Sequence, residues 1–224
     1  NACRSFWRCL SMRTEDLIRS LSGNVEPVSR HALQRRFLLG VGGGVFLAST
    51  LLAAWLGVQS SLLAPPLIGA FLTKFFYTAL LAATAIAASI HLMRPEARPA
   101  KWFLLAAAPV AVLGAFALIE LSGAPREAWP EMISGISIGA CLIRISIISI
   151  PIFLSLVWAA RSMAPTQLRI TGAAIGFAAG SLGAAIYAFH CVETGASFIF
   201  LWYSAAILIV SCAGALIAPR FLRW

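Results

Sequence analysis

Three residues in the second half of the chain have side chains that can bind a soft metal or change oxidation state: Cys141, His190 and Cys191. A pair of thiols can form a structural disulfide, can switch between dithiol and disulfide, or can bind a soft metal ion, with His190 and Glu193 as further ligands. The alternative is two unrelated, half-buried cysteines, with His190 making an ordinary hydrogen bond. The choice depends on where the chain places these residues.

The elements that must position them are membrane-spanning helices. Hydrophobic residues make up 60% of the 224 residues and charged residues only 11%, whereas about 25% of residues are charged in soluble domains. The net charge of +9 does not indicate nucleic-acid binding, because the basic residues separate apolar runs instead of clustering on a polar face. The composition therefore predicts an all-α integral membrane protein surrounded by lipid, with no direct nucleic-acid contact.

Six apolar runs are long enough, at about 20 residues, to cross a bilayer. They lie at 37–57, 74–93, 102–121, 139–160, 170–190 and 198–218. The connection at 58–73 is apolar and carries two prolines, so we expect it to lie at the membrane interface or to fold back as a short helix. The predicted fold is a six-transmembrane-helix bundle at 37–224, preceded by a short cytoplasmic N-terminal segment at 12–36.

The first eleven residues are expected to be an extension foreign to the native chain, because Met12 is a plausible start. Cys3 and Cys9 belong to this extension, so no role is predicted for either. Cys212 lies within the sixth predicted span among apolar residues and is expected to behave as a small apolar side chain.

The basic residues predict the orientation. Fourteen of the 17 Lys and Arg fall before the first span, in the 94–101 and 161–169 loops, or after the last span. The remaining three, Lys74, Arg126 and Arg144, belong to the opposite side of the membrane or to its boundary. Because cytoplasmic loops carry the excess of Lys and Arg, both termini are predicted to be cytoplasmic.

This orientation places the two cysteines. Cys141 opens the fourth span and Cys191 closes the fifth, both at the outer end. Antiparallel neighbouring helices would bring the thiols to a similar depth, on the oxidising side where disulfides persist. We therefore expect both thiols to be accessible from outside.

Arg144 lies one turn below Cys141 in an apolar run, where a charge needs a partner or a route to water. Glu120, at the outer end of the third span, is the first candidate partner and Glu193 the second. The alternative is that Arg144 extends to the outer interface without a partner.

Helix packing is also predicted. Gly172, Gly176, Gly180 and Ala184 recur every four residues along the fifth span, and Gly40 and Gly44 repeat the spacing in the first. Rows of small residues let helix backbones approach closely, so we expect these rows to be packing surfaces.

The hydrophilic segment at 12–36 carries a short amphipathic pattern. Thr14 can cap a helix on which Leu17, Ile18 and Leu21 form one narrow apolar face. A helix of about two turns is unstable alone, so it is expected to become ordered in the groove of a partner. The alternative is a solvated leader that only sets the orientation.

The sequence contains no constellation that supports catalysis, so the chain is not expected to be an enzyme. A small transporter or channel subunit is the alternative function, and a membrane enzyme comes third. A transporter would place polar residues along a path near the midplane, where this chain has almost only Ala, Ile, Leu and Gly.

Several stretches resemble the negative-regulator-of-sigma-F (NrsF) family of proteobacterial membrane anti-sigma factors. They are "RTEDLIRSL", "GACLIRISIISIPIFLSLVWAARSMAPT", "APTQLRITGAAIGFAAGSLGAAIYAFHCVETGASFIFLWY" and the terminal "LRW". The resemblance covers residues 12–224 and is most specific at 141–203, where the fourth-span Cys, "APT", "HC" and "WY" stand in the family's order.

The resemblance implies a six-span protein whose N-terminal segment holds an extracytoplasmic-function sigma factor. It implies that two outward cysteines respond to metal or oxidative stress, and it carries that role to Cys141 and Cys191, next to His190. The sigma-binding role carries over to Asp16, Leu17, Ile18 and Leu21. No permanent cofactor is implied, although a transient soft metal ion bound by the cysteines remains open.

Overall fold

All the regular structure that we can describe is helical. The computed structural model describes residues 14–23, 32–60, 64, 67–92, 100–161 and 167–222. Its helices are α1 (Thr14–Gly23), α2 (Ala32–Trp55), α3 (Leu67–Leu92), α4 (Ala100–Ser122), α5 (Trp129–Ser134), α6 (Ile138–Ala160), α7 (Leu168–Tyr187) and α8. The last is composite, with an α-helical turn at Ala196–Phe198, a π-helical stretch at Ile199–Tyr203 and an α-helix at Ser204–Leu222.

Six helices in these ranges, α2, α3, α4, α6, α7 and α8, are long and apolar enough to cross a membrane. Their number and order confirm the sequence prediction. One boundary was wrong: α3 begins at Leu67, so residues 67–73 extend the helix by about two turns and are not a connection. The apolar residues from Leu67 onward continue the helix.

The chain divides into two units at Ala32, with α1 in the first and the bundle in the second. Each unit is described by itself. The expected boundary between a 12–36 segment and a 37–224 membrane domain stays a prediction.

Helix α7 is the most buried of these six helices, and it packs against α3, α6 and α8. Its glycine row lies against α8, as predicted. A Cβ atom added at Gly172 or Gly176 would lie 2.5 Å from the carbonyl oxygen of Gly214 or Val210, respectively. Because no real Cβ comes that close, the backbones of α7 and α8 are in direct contact along this row.

The predicted glycine pair of the first span also packs closely, in this case against α6. A Cβ atom at Gly44 would lie 2.8 Å from Ile152 Cα, and one at Gly40 would lie 3.0 Å from Ala159 Cβ. The Ser155 hydroxyl donates a hydrogen bond to the Gly40 carbonyl oxygen. Helix α2 is therefore held on α6 by close backbone contact.

We expect Gly176→Ala to destabilise the bundle, because the new methyl group would overlap the Val210 carbonyl. Overpacking of this kind costs about 1–3 kcal/mol, which lowers the melting temperature of a chain of this size by several degrees. Gly42→Ala is the matched control, since a Cβ atom at Gly42 meets nothing within 4 Å. Thermal unfolding of both variants in detergent measures the difference. Equal melting temperatures would show that the α7–α8 contact is looser than described.

Candidate functional site

The two cysteines lie at the same end of the bundle, where α6 begins and α7 ends, which we call the Cys191 end. Cys141 is in the first turn of α6 and Cys191 follows the turn after α7. Both are free thiols and both are buried, with exposed fractions of 0% and 4%. The structure thus brings together two residues that are 50 positions apart in sequence.

Their burial corrects one expectation. We predicted thiols accessible from outside, but both side chains lie in the buried core of the bundle. Phe189, two residues before Cys191, packs edge-on against Phe71 and Phe75 of α3, with ring centroids 5.0 and 5.9 Å apart. The sequence predicted the helix ends at which the cysteines lie, but it could not predict their burial, because burial depends on how distant parts of the chain pack.

Lys74 is the residue of this site that sequence reasoning missed. Its side chain is 1% exposed, and its ammonium group donates a hydrogen bond of 2.8 Å to the carbonyl oxygen of Cys191. A single Lys in an apolar span is costly and marks a functional site by default, a signal that we used only to assign its side of the membrane.

His190 joins Arg144 to the turn after α2. Its Nε2 atom lies 3.3 Å from a guanidinium nitrogen of Arg144, and its Nδ1 atom lies 3.1 Å from the carbonyl oxygen of Gly57. Both ring nitrogens therefore have a hydrogen-bonding neighbour. We expected Glu120 to be the partner of Arg144. The structure instead places the Arg144 guanidinium group against His190, just after the end of α7.

Glu120 and Glu193, both at this end of the bundle, accept hydrogen bonds from backbone turns instead. One carboxylate oxygen of Glu120 accepts hydrogen bonds from the amide and the hydroxyl of Ser197, at 2.8 and 2.7 Å, and so caps the start of α8. Glu193 accepts from the Ile136 amide and the Ser137 hydroxyl, at 2.9 and 2.8 Å. These partners could not be predicted, because they depend on the fold of two loops that are far apart in sequence.

Two tyrosines line the buried side of the site. The rings of Tyr187 and Tyr203 have centroids 6.2 Å apart, and both side chains are almost fully buried. Among the described residues, the buried Tyr203 hydroxyl has no hydrogen-bond partner. Tyr203 ends the π-helical stretch of α8, and such stretches are frequent at functional sites.

Within the described ranges, no group of three or more His, Cys, Asp and Glu side chains is arranged to hold a metal ion. A metal at this site would have to be bound by the two thiols without His190, whose ring nitrogens already have neighbours. Metal binding by Cys141 and Cys191 stays a prediction.

The proposed binding segment is helical, as expected, since α1 covers Thr14–Gly23. Of its predicted anchors, Ile18 is 59% exposed. The side chains of Asp16, Leu17 and Leu21 lie outside the part of the chain that is described. Cys212 is exposed on α8, away from the two other cysteines.

Comparison with known proteins decides the family. The family model described as "Negative regulator of sigma F" matches residues 21–224. The chain belongs to the NrsF family. As a member of a family of regulators it is not an enzyme, which confirms the sequence prediction.

Two curated NrsF relatives match along nearly the whole chain. The "Probable anti-sigma-F factor NrsF" of Azospira oryzae is 34% identical over 218 residues, which cover 95% of this chain and 100% of the relative. The "Anti-sigma-F factor NrsF" of Caulobacter vibrioides is 30% identical over 214 residues, again 95% and 100% of the two chains. No solved structure matches.

Proposed function

We propose that this NrsF protein holds an extracytoplasmic-function sigma factor at its cytoplasmic N-terminal segment and releases it when Cys141 and Cys191 react with a metal or an oxidant. Membership of the family supports the sigma-factor partner, because both curated relatives are named as anti-sigma-F factors. The single observation that supports the sensing role is the pair of buried free thiols at the end of the bundle where Lys74 donates a hydrogen bond to the Cys191 carbonyl oxygen.

The helix contacts offer a route from the thiols to the partner. Cys141 lies on α6, and α6 is in backbone contact with α2 at Gly40 and Gly44. Helix α2 follows directly on the N-terminal segment in the chain. Closely packed helices shift as rigid bodies and do not absorb a displacement, so a change at Cys141 would be passed to α2 and to the segment before it.

The energy required for release is moderate. A nanomolar complex loses about two decades of affinity when the coupling between two sites is a few kcal/mol. One disulfide or one bound metal ion supplies free energy of this size. A single chemical event at the pair is therefore sufficient to free the partner.

A transporter or channel function finds no support in the described cavities. The larger, about 570 Å³, lies between α3 and α4 and is lined almost entirely by apolar atoms, and the smaller, about 340 Å³, is as apolar. Neither provides the polar path that a solute would need.

Release of a co-purified sigma factor tests the proposed function. Peroxide or cadmium should free the partner from the full-length protein and should leave it bound to a variant without the two thiols. A partner that stays bound to the wild type under both treatments would refute release through the cysteines.

The proposed orientation has its own test, which uses exposed positions because the native thiols are buried. Gln167 lies just before the first residue of α7, Thr194 lies in the loop after its last residue, and both are exposed. In a background with the native cysteines changed to Ser, Thr194→Cys should react with a membrane-impermeant maleimide in cells with an intact inner membrane. Gln167→Cys should react only after permeabilisation. The reverse pattern would invert the topology.

A further inference from the structure

A cavity of about 340 Å³ lies beside the first half of α7, away from the Cys191 end, where four helices meet. Helices α3, α7 and α8 supply most of its walls, and α4 adds Ala106. Small side chains leave the space open, among them Ala85 and Ala88 of α3 and Ala173 and Ala174 of α7. We call this cavity the α7 cleft.

The interior of the α7 cleft is apolar. Two hydroxyl side chains line it, and both donate their proton to a helix backbone. Thr84 donates to the Leu81 carbonyl oxygen at 2.8 Å, and Ser211 donates to the Ala173 carbonyl oxygen at 3.0 Å. The remaining walls are alanine and larger aliphatic or aromatic side chains. Such a surface suits a hydrocarbon chain.

Arg169 gives the α7 cleft one charged end. It is the second residue of α7, its side chain is exposed, and it lines the cleft. Among the described residues that line the cleft, none is acidic. The positive end of the α7 helix dipole lies at the same place and adds to the charge. A guanidinium group binds a phosphate through two parallel hydrogen bonds, so this end of the cleft is complementary to a phosphate.

The two ends of the cleft select different parts of a ligand. In a bilayer a hydrocarbon chain gains little hydrophobic free energy by entering the cleft, because lipid tails are as apolar as its walls. The chain gains the dispersion contacts that an empty space would lack, and any lipid provides them. The charge of Arg169 then decides which headgroup is preferred, as basic pockets between membrane helices do for anionic lipids.

We propose that the α7 cleft binds one anionic phospholipid, with an acyl chain between α3, α7 and α8 and the phosphate on Arg169. A soluble phosphate would leave the apolar walls without a ligand. A zwitterionic lipid would bring its own ammonium group close to the guanidinium group. The proposal requires the six helices to lie in a membrane, and it is independent of the cysteine pair, which lies beyond the other end of α7.

Native mass spectrometry of the full-length protein tests the site. The protein in detergent is mixed with equal amounts of phosphatidylglycerol and phosphatidylethanolamine that carry the same acyl chains. We expect the first lipid retained to be phosphatidylglycerol, by about fivefold over the zwitterionic lipid. Arg169→Gln should retain the two lipids equally. Ala174→Leu, which places a larger side chain in the cleft, should retain less of both.

Each variant has a matched control. Arg161→Gln removes a charge from the end of α6, the helix that precedes α7, where the Arg161 guanidinium group already donates to the Phe221 carbonyl oxygen. Ala108→Leu adds the same bulk to the larger cavity between α3 and α4. Both controls should keep the wild-type preference and the wild-type amount of bound lipid. Helical content and melting temperature show that each variant is folded.

Four results would overturn the proposal. The first is equal retention of the two lipids by the wild type. The second is an unchanged preference in a folded Arg169→Gln, or an equal loss of preference in Arg161→Gln. The third is displacement of the bound lipid by glycerol phosphate, which would show an anion site that does not use the cleft. The fourth is a dimer that Ala174→Leu abolishes, which would show that a second copy of the chain fills the cleft.

Discussion

Changing Leu17 and Leu21 to Ser should switch on the genes of the partner sigma factor without any stimulus. The two leucines are four positions apart in α1 (Thr14–Gly23), and the sequence predicts that they share an apolar face with Ile18. Short helices that bind in grooves depend on a few apolar anchors, each worth about 2 kcal/mol or more. Loss of two anchors should weaken binding by at least about a hundredfold.

The measurement is a reporter gene driven by a sigma-dependent promoter, with the membrane level of the protein followed by immunoblot. Arg19→Ser is the matched control, because Arg19 is exposed and falls on the opposite side of the helical wheel from the two leucines. Reporter activity should rise to the induced level in the leucine variant and stay near the repressed level in the control. A silent reporter in both would place the sigma-binding surface elsewhere.

The second large effect is expected from the cysteine pair. Cys141→Ser combined with Cys191→Ser should keep repression and should abolish induction, so that the reporter stays near its basal level under peroxide and under cadmium. A Ser hydroxyl buried without a partner costs about 1–3 kcal/mol. The double Ala variant therefore serves as a second form that avoids this cost.

Cys212→Ser is the matched control for the pair, because Cys212 is exposed and lies within α8. It should respond to peroxide as the wild type does. Normal induction in both double variants would exclude the pair from sensing. Loss of induction with Cys212→Ser would transfer the role to that residue.

Much of the bundle could be predicted because it depends on local chemistry. Apolar runs of the length of a bilayer gave six spans, and the four-residue spacing of Gly172, Gly176 and Gly180 gave the face that packs on α8. The start of α3 was missed because the two prolines were taken as a break, whereas proline is also favoured where a helix begins.

The candidate site was predictable only in part. Sequence placed Cys141 and Cys191 at one end of the bundle, but it could not show that Lys74 turns inward to the Cys191 carbonyl. It also could not show that Glu120 accepts a hydrogen bond from Ser197 at the start of α8, or that His190 lies against Arg144. Each of these contacts joins residues more than 40 positions apart, so no periodic pattern in the chain records it.

The most direct test of the account is release of a sigma factor from the purified full-length complex. The tagged protein is isolated from membranes of its native cell with its partner bound, and the partner that elutes after treatment with peroxide is quantified. The account predicts elution from the wild type, with both thiols of the pair lost, and no elution from the Cys141→Ser, Cys191→Ser double variant. Equal elution from both proteins would contradict it.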